Sequence, residues 1–318
     1  MKKKLFSLII PVYQNEDNLN NTIPVCIELL NSLDGYEYEF ILVNDGSSDM
    51  SPEILEKYQS EFPDLIKVVS LTKNFGQNAA TIAGITYAKG DVIGVISADL
   101  QDPVELFKVM LVDWEKGKKL VIAAREMRSD GFFSDFLSKA FYLLTRKFAA
   151  KNYPRGGFDF WLMDRSVVKE YLSIANKNSG VPMSIFQMGF DYALHPYSRA
   201  KRLQGKSQYT FWKKIHTFYD TFLANSYAPI RIVSILGFFS SFCALFYTGS
   251  ILLIALLTPG GEVIVKGWAS IVALITFFSG IILMALGTIG EYIWRIYDLA
   301  KKTPNFVIEN ILDDTKKR

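Results

Sequence analysis

The sequence predicts an α/β fold, a mostly parallel sheet covered by helices, followed by a hairpin of two transmembrane helices. Three observations carry that expectation. Between residues 5 and 124, apolar runs of strand length alternate with stretches of helical periodicity. Two longer runs, 232–261 and 267–290, contain no charged residue. Mean hydropathy over the 318 residues is +0.16, whereas soluble domains average below zero, so part of the chain is built for lipid.

The elements follow in order. Residues 5–12 (LFSLIIPV) form a strand, 17–33 a helix and 37–44 (EYEFILVN) a strand. A helix near 52–60, a strand at 66–71, a helix near 76–88, a strand at 91–97, a helix near 103–115 and a strand at 120–124 continue the alternation. Five strands alternating with helices make a parallel sheet, and such sheets bind ligands at the carboxyl ends of their strands. The segments to inspect are therefore PVYQNED, NDGSSD, TKNFGQ and SADLQDP. The N-terminal apolar run stops at Pro11 without a cleavage-type end, which makes it a strand and not a signal peptide.

Both uncharged runs exceed the roughly 20 residues needed to cross about 30 Å of hydrocarbon, and the turn-forming link TPGGEVIVK joins them. Lys213, Lys214 and Arg231 precede the first run, and Arg295, Lys301, Lys302, Lys316, Lys317 and Arg318 follow the second. The positive-inside rule then places the sheet domain and both termini in the cytoplasm of a multi-pass membrane protein. The expected division is a cytoplasmic domain over 1–210, an interfacial amphipathic helix over 211–230, two spans over 231–296 and a cytoplasmic tail over 297–318. A further amphipathic stretch, 132–150, has a periodicity that suits either a membrane surface or a packed core. Gly280, Ala285, Gly287 and Gly290 would permit close helix packing and hence a homo-oligomer.

Several chemistries are excluded. There is no GxGxxG after the first strand and no GxxxxGK[ST], against dinucleotide oxidoreductases and phosphate-loop nucleotidases. The only histidines are His195 and His216, and Cys26 and Cys243 form neither a CxxC nor a disulfide framework, so a zinc enzyme is not indicated. A net charge of +3 is too small to point to nucleic acid.

The strand-end segments carry the positive signals. Asp45 of NDGSSD stands where a base or ribose would be met. In SADLQDP, Asp99 and Gln101 offer hard oxygen donors at i and i+2, suited to Mg²⁺ or Mn²⁺ on a diphosphate. Asp102, with Pro103 and Glu105 after it, fits a helix N-cap. The stretch 199–214, RAKRLQGKSQYTFWKK, holds six Lys or Arg and no acid. It serves either to clamp phosphates or as cytoplasmic charge beside a span.

Taken in order, these segments resemble those of the polyisoprenyl-phosphate glycosyltransferases, inverting family-two enzymes that include bactoprenol glucosyltransferases and dolichol-phosphate mannose synthases. SLIIPVYQNEDNL, NDGSSD, NFGQNAATIAG, SADLQDP, GFDFWLMDRSVV, RAKRLQGKSQY and GEYIWRIYD are similar to successive family signatures across nearly the whole chain. The resemblance implies an A-type glycosyltransferase fold that moves a hexose from a nucleotide diphosphate sugar, UDP-glucose first, to undecaprenyl phosphate at the plasma membrane. It implies that Pro11, Tyr13, Glu16, Asp45, Lys73, Ser97, Ala98 and Asp99 surround the donor, and that Asp99 and Gln101 hold Mg²⁺ or Mn²⁺. It further implies that Asp159 meets the acceptor and that Arg199, Arg202, Lys206 and Ser207 meet phosphates. Four departures stand out: Ser97 for the first acid of DxD, Trp161 for an Arg in the acceptor segment, Lys73 for an Arg and Gln208 for a Lys. A processive polysaccharide synthase, which would carry QxxRW and more spans, and a non-catalytic nucleotide-sugar-binding scaffold are the competing readings.

Overall fold

A computed structural model describes residues 3–125, 146, 150, 151, 153, 154, 157, 158, 160–176, 180–198, 233, 235–240, 242, 243, 246, 247, 250, 253, 268–300 and 303–313. The chain divides into two compact units, Met1–Ala224 with Pro304–Arg318, and Asn225–Thr303.

The first unit opens with the expected alternation: β1 (Lys4–Val12), α1 (Glu16–Asn31), β2 (Tyr36–Asn44), α2 (Ser51–Glu61), β3 (Ile66–Leu71), α3 (Gln77–Tyr87), β4 (Val92–Val95), α4 (Leu106–Glu115) and β5 (Leu120–Arg125). It continues with β6 (Phe160–Asp164), α5 (Arg165–Ile174), α6 (Val181–Gln187), β7 (Tyr192–Tyr197) and, near the chain's end, β8 (Ile308–Leu312). The strand order is β7-β5-β6-β4-β1-β2-β3-β8. β1 to β4 are parallel neighbours, but β5 does not lie beside β4 as a purely parallel progression requires. β6 sits between them, antiparallel to both.

Three strands go beyond the sequence expectation, and each has a reason. β6 (FWLMD) lies inside a segment whose signature masks its apolar run. β7 (YALHPY) contains Pro196, tolerable because β7 is at the sheet edge, where a missing N–H breaks no central ladder. β8 follows a long apolar helix and so reads as a tail. It pairs antiparallel with β3, and Lys67, 4% exposed, binds Asp313 just beyond it at 3.3 Å and Glu39 at 3.6 Å.

Helices cover both faces. Leu19, Ile23 and Leu30 of α1, Leu55 of α2 and Phe107, Met110 and Trp114 of α4 pack on Phe6, Leu8, Ile10, Phe40 and Leu42. On the other face Ala80, Ile82, Ala83 and Ile85 of α3, with Val167, Val168 and Tyr171 of α5, pack on Ile9, Ile41, Val43, Ile93 and Val95. The small residues of NFGQNAATIAG let α3 lie close to the sheet: a Cβ on Gly84 would stand 2.4 Å from Cγ2 of Ile9. Trp161, where the resemblance implies an Arg, is 1% exposed among this second set of core residues. The Trp161 side chain therefore serves packing.

Asp164, where β6 ends and α5 begins, caps that helix. Its Oδ1 accepts from the Ser166 amide at 2.9 Å and Lys119 Nζ at 3.1 Å, and its Oδ2 from the Trp114 indole at 2.8 Å. Burial pushes its carboxyl up, but these donors and the Ser166 hydroxyl outweigh burial and bring it down from 3.8 to about 2. A depressed carboxyl contributes stability that is fully present above its unfolded value and is lost as pH falls through the folded one. Asp164→Asn is expected to cost about 1 kcal/mol at pH 6, with the gap from wild type closing between about pH 4 and pH 2 in thermal melts.

In the second unit, the described positions between 233 and 253 are helical, and α7 (Trp268–Ala300) runs for 33 residues, about 50 Å. Among the described residues α7 is the one helix long and apolar enough to cross a membrane, with a mean hydropathy of 1.5 over Phe277–Trp294 and none of that window buried. Most of the first expected span and all of its link to the second lie outside the described residues.

Candidate active site at the carboxyl edge of the sheet

β1 has β2 on one side and β4 on the other, because the chain moves one way after β1 and crosses to the far side after β3. Here the loops after β1 and β4 part, leaving the crevice that open α/β sheets use for ligands. The last register pair of β1 with β4 is Ile9 with Val95, so Pro11 and Tyr13, both half-buried, lie beyond the shared ladder at the crevice mouth. The two non-glycine residues with positive φ among those described flank it: Gln14 (φ 49) after β1 and Leu100 (φ 50) after β4. Strained backbone is retained where function fixes a loop's path, and both instances fall in these two loops.

The loops after β1 and β2 are tied together. The Gln14 amide donates to Ser47 Oγ (3.1 Å), the Asn15 amide to Ser51 Oγ (3.0 Å) and the Glu16 amide to Asp49 Oδ2 (3.2 Å). Glu16 Oε2 in turn accepts from the Met50 amide at 2.7 Å, which places its carboxylate at the start of α2. Asp45 is 2% exposed, and its oxygens accept from the Phe75 amide at 2.7 Å and the Gly76 amide at 2.9 Å, just before α3. Burial pushes the Asp45 carboxyl up, opposed by those two N–H groups. The NFG signature thus supplies the amide pair that orients Asp45. Lys73, exposed at the end of β3, lies with Nζ 5.2 Å from the Phe75 ring centroid.

After β4 the segment Ser97–Asp102 turns back on itself. Ala98 is buried, and its carbonyl accepts from Thr22 Oγ1 of α1 at 2.8 Å, which anchors the loop. Ser97 Oγ lies 2.9 Å from Asp99 Oδ1 and 2.7 Å from Asp102 Oδ2, and the Gln101 amide is 3.3 Å from Asp99 Oδ1. The expectation that Asp102 caps a helix is corrected: α4 begins only at Leu106 without a side-chain cap, while Asp102, 1% exposed, turns inward to Ser97 and to the Tyr197 hydroxyl. A buried carboxylate needs strong donors, and two hydroxyls satisfy it better than a solvated helix end.

A divalent cation fits this loop by the chemistry of its donors. Asp99 and Gln101, both half-buried at the crevice, offer a carboxylate and an amide oxygen. Among the described residues no cluster of three or more His, Cys, Asp or Glu could hold a metal. Of the described residues, Asp99 and Gln101 would supply ligands, with phosphate oxygens and water completing the shell as is usual for Mg²⁺.

Asp159, Arg199, Arg202, Lys206 and Ser207, together with 211–230 and most of 132–150, lie outside the described residues. β6 starts at this edge with Phe160 and ends at the opposite one. There Arg165 binds the carbonyls of Gly90 (2.7 Å) and Ala88 (2.9 Å), so the second half of the GFDFWLMDR signature is architectural. Two residues of the site escape sequence reasoning, Arg125 and Tyr197. They end β5 and β7 in register with each other, and the Arg125 guanidinium lies beside the Tyr197 hydroxyl. Extending the strand-end rule to the fifth strand would have found Arg125.

Residues 7–172, more than half the chain, match the glycosyl transferase family 2 model. The chain is 34% identical to an uncharacterized glycosyltransferase of Bacillus subtilis, YkcC, over 98% of this chain and 96% of that one. It is 32% identical to the bactoprenol glucosyl transferase of Shigella phage SfV over 96% and 98%. It is 30% identical to a prophage bactoprenol glucosyl transferase homolog of Escherichia coli K12 over 96% and 98%. With its signature loops gathered at the carboxyl edge of an α/β sheet and nearly its full length shared with these relatives, the chain belongs to glycosyl transferase family 2 and is a glycosyltransferase.

Proposed function

We propose that the protein transfers one hexose, glucose first among the sugars, from a nucleotide diphosphate donor to a polyprenyl phosphate, inverting the anomeric carbon. The observation that carries this reading is the joining, in one chain, of a carboxyl-edge site for a soluble donor and a helix of membrane length whose apolar window Phe277–Trp294 is unburied. The named activity of the phage relative, matched over nearly its whole length, supports a bactoprenol acceptor.

In the proposed reaction the lipid phosphate attacks the anomeric carbon as the nucleoside diphosphate leaves. An acceptor phosphate with a second pKa near ~6 is already largely an anion at pH 7, so positioning matters more than a strong base. A divalent ion held by Asp99 and Gln101 would neutralise charge developing on the leaving diphosphate. Tyr13 and the amide-tied Asp45 would frame the base and ribose, Lys73 would face phosphate, and Asp159 would orient the acceptor. The basic residues Arg199, Arg202 and Lys206, with Ser207, would hold its phosphate. Because the chain before and after the apolar segment belongs to one compact unit, an even number of crossings is favoured, which supports a two-span hairpin with both ends on one side.

The full chain, incubated with undecaprenyl phosphate, Mn²⁺ and radiolabelled UDP-glucose, UDP-N-acetylglucosamine or UDP-galactose, tests this reading. Label in a lipid carrying a single sugar is the expected result. Long polymer would point to a processive synthase, and no label with any donor to a scaffold. Asp159→Asn is expected to lower kcat by on the order of 10²-fold with little change in donor KM, and equal losses in both would remove its acceptor role.

A further inference from the structure

Asp102 lies at the centre of a hydrogen-bonded chain that joins β7 to the proposed cation loop. Its Oδ1 accepts from the hydroxyl of Tyr197, the last residue of β7, and its Oδ2 lies 2.7 Å from Ser97 Oγ. The same serine oxygen is 2.9 Å from Oδ1 of Asp99. Asp102 and Tyr197 are buried, at 1% and 6% exposure, and the Tyr197 ring packs edge-on against Phe160 with centroids 6.1 Å apart. Burial first, and then the Asp102 charge, push the Tyr197 phenol well above its usual value, so it remains a donor at every working pH.

We propose that Tyr197 and Asp102 are positioning residues that set the geometry of the Asp99–Gln101 loop for its cation through the Ser97 hydroxyl. A serine hydroxyl has one hydrogen and can serve only one carboxylate at a time. With Tyr197 satisfying one oxygen of Asp102, the Ser97 proton is shared between the buried anchor and the cation-facing acid. Without the Tyr197 hydroxyl, Asp102 is a buried carboxylate that has lost a donor. Its pull on the Ser97 proton then strengthens, which draws the loop out of register. Ser97 thereby gains a role: its hydroxyl links Asp99 to the buried Asp102.

This role rests on the nucleotide-diphosphate reading of the site, and one titration separates the two. Binding of Mn²⁺ to the full chain in detergent is followed by loss of the free-ion EPR signal, with and without UDP. Tyr197→Phe, which keeps the ring packing, is expected to weaken Mn²⁺ binding in the presence of UDP on the order of tenfold. Ser97→Ala and Asp102→Asn should shift it in the same direction, and the Tyr197→Phe/Asp102→Asn pair should cost little more than either alone. A Tyr197→Phe protein with a lower Tm but Mn²⁺ affinity within about twofold of wild type would reduce the bond to a fold contact and overturn the proposal. Wild-type protein showing no Mn²⁺ binding that UDP strengthens would overturn the reading of the site itself, and this role with it.

Discussion

Asp99→Ala is expected to lower sugar transfer on the order of 10³-fold. The carboxylate lies at the crevice with its Oδ1 held by Ser97 and by the Gln101 amide, and it is the one acid of the proposed cation loop that is not buried. Asp102, three residues on, is 1% exposed and committed to Ser97 and Tyr197, so it cannot take over. Gln101→Ala removes a neutral donor and should cost about tenfold, consistent with the weaker hold of an amide oxygen on a hard cation. Initial rates across a Mn²⁺ titration check both: Asp99→Ala should stay slow at saturating metal, whereas Gln101→Ala should recover. Activity of Asp99→Ala within about tenfold of wild type would move the cation, or the need for one, elsewhere.

Gly46→Ala is expected to destabilise the first unit by about 3 kcal/mol and, on the proposed reading of the site, to abolish UDP binding. Gly46 has φ +64, and a Cβ there would stand 2.4 Å from the carbonyl carbon of Lys73 and 2.7 Å from the Asn74 nitrogen. Both neighbours are backbone and cannot swing aside. Relief requires the loops after β2 and β3 to separate, which pulls Asp45 from the Phe75 and Gly76 amides. Thermal melts of the full chain and UDP titration measure the two effects. A Gly46→Ala protein of wild-type Tm would show that the loops have room the close approach denies.

These two residues also show how unevenly the site is legible. Asp99 announces itself, because an acid after an apolar strand, two residues before a Gln and near a Pro, is a pattern of local chemistry. The need for Gly46 is invisible in sequence, since its partner is the backbone of residues 73 and 74, brought near only by the pairing of β2 with β3. Asp102 resembles a helix cap because capping is judged from the next few residues, whereas its real donor, Tyr197, is 95 residues away. Trp161 reads as a lost charge at a ligand site until its strand places it in the core.

The sequence by itself determined the first five strands and the helices between them, the apolar segment that follows, and the family signatures in their order. Those properties are local: strand and helix periodicity, turn residues and donor spacing act over a few neighbouring residues. Only the tertiary structure decided that β6 inserts antiparallel between β4 and β5, that β8 closes the far edge against β3 with Asp313 on the buried Lys67, and that Ser97, Asp102 and Tyr197 form one chain. The physical reason is that strand order and buried polar partnership are set by which distant surfaces bury the most apolar area while satisfying every buried charge. That competition is settled across the whole sheet and leaves no mark in any short stretch of residues.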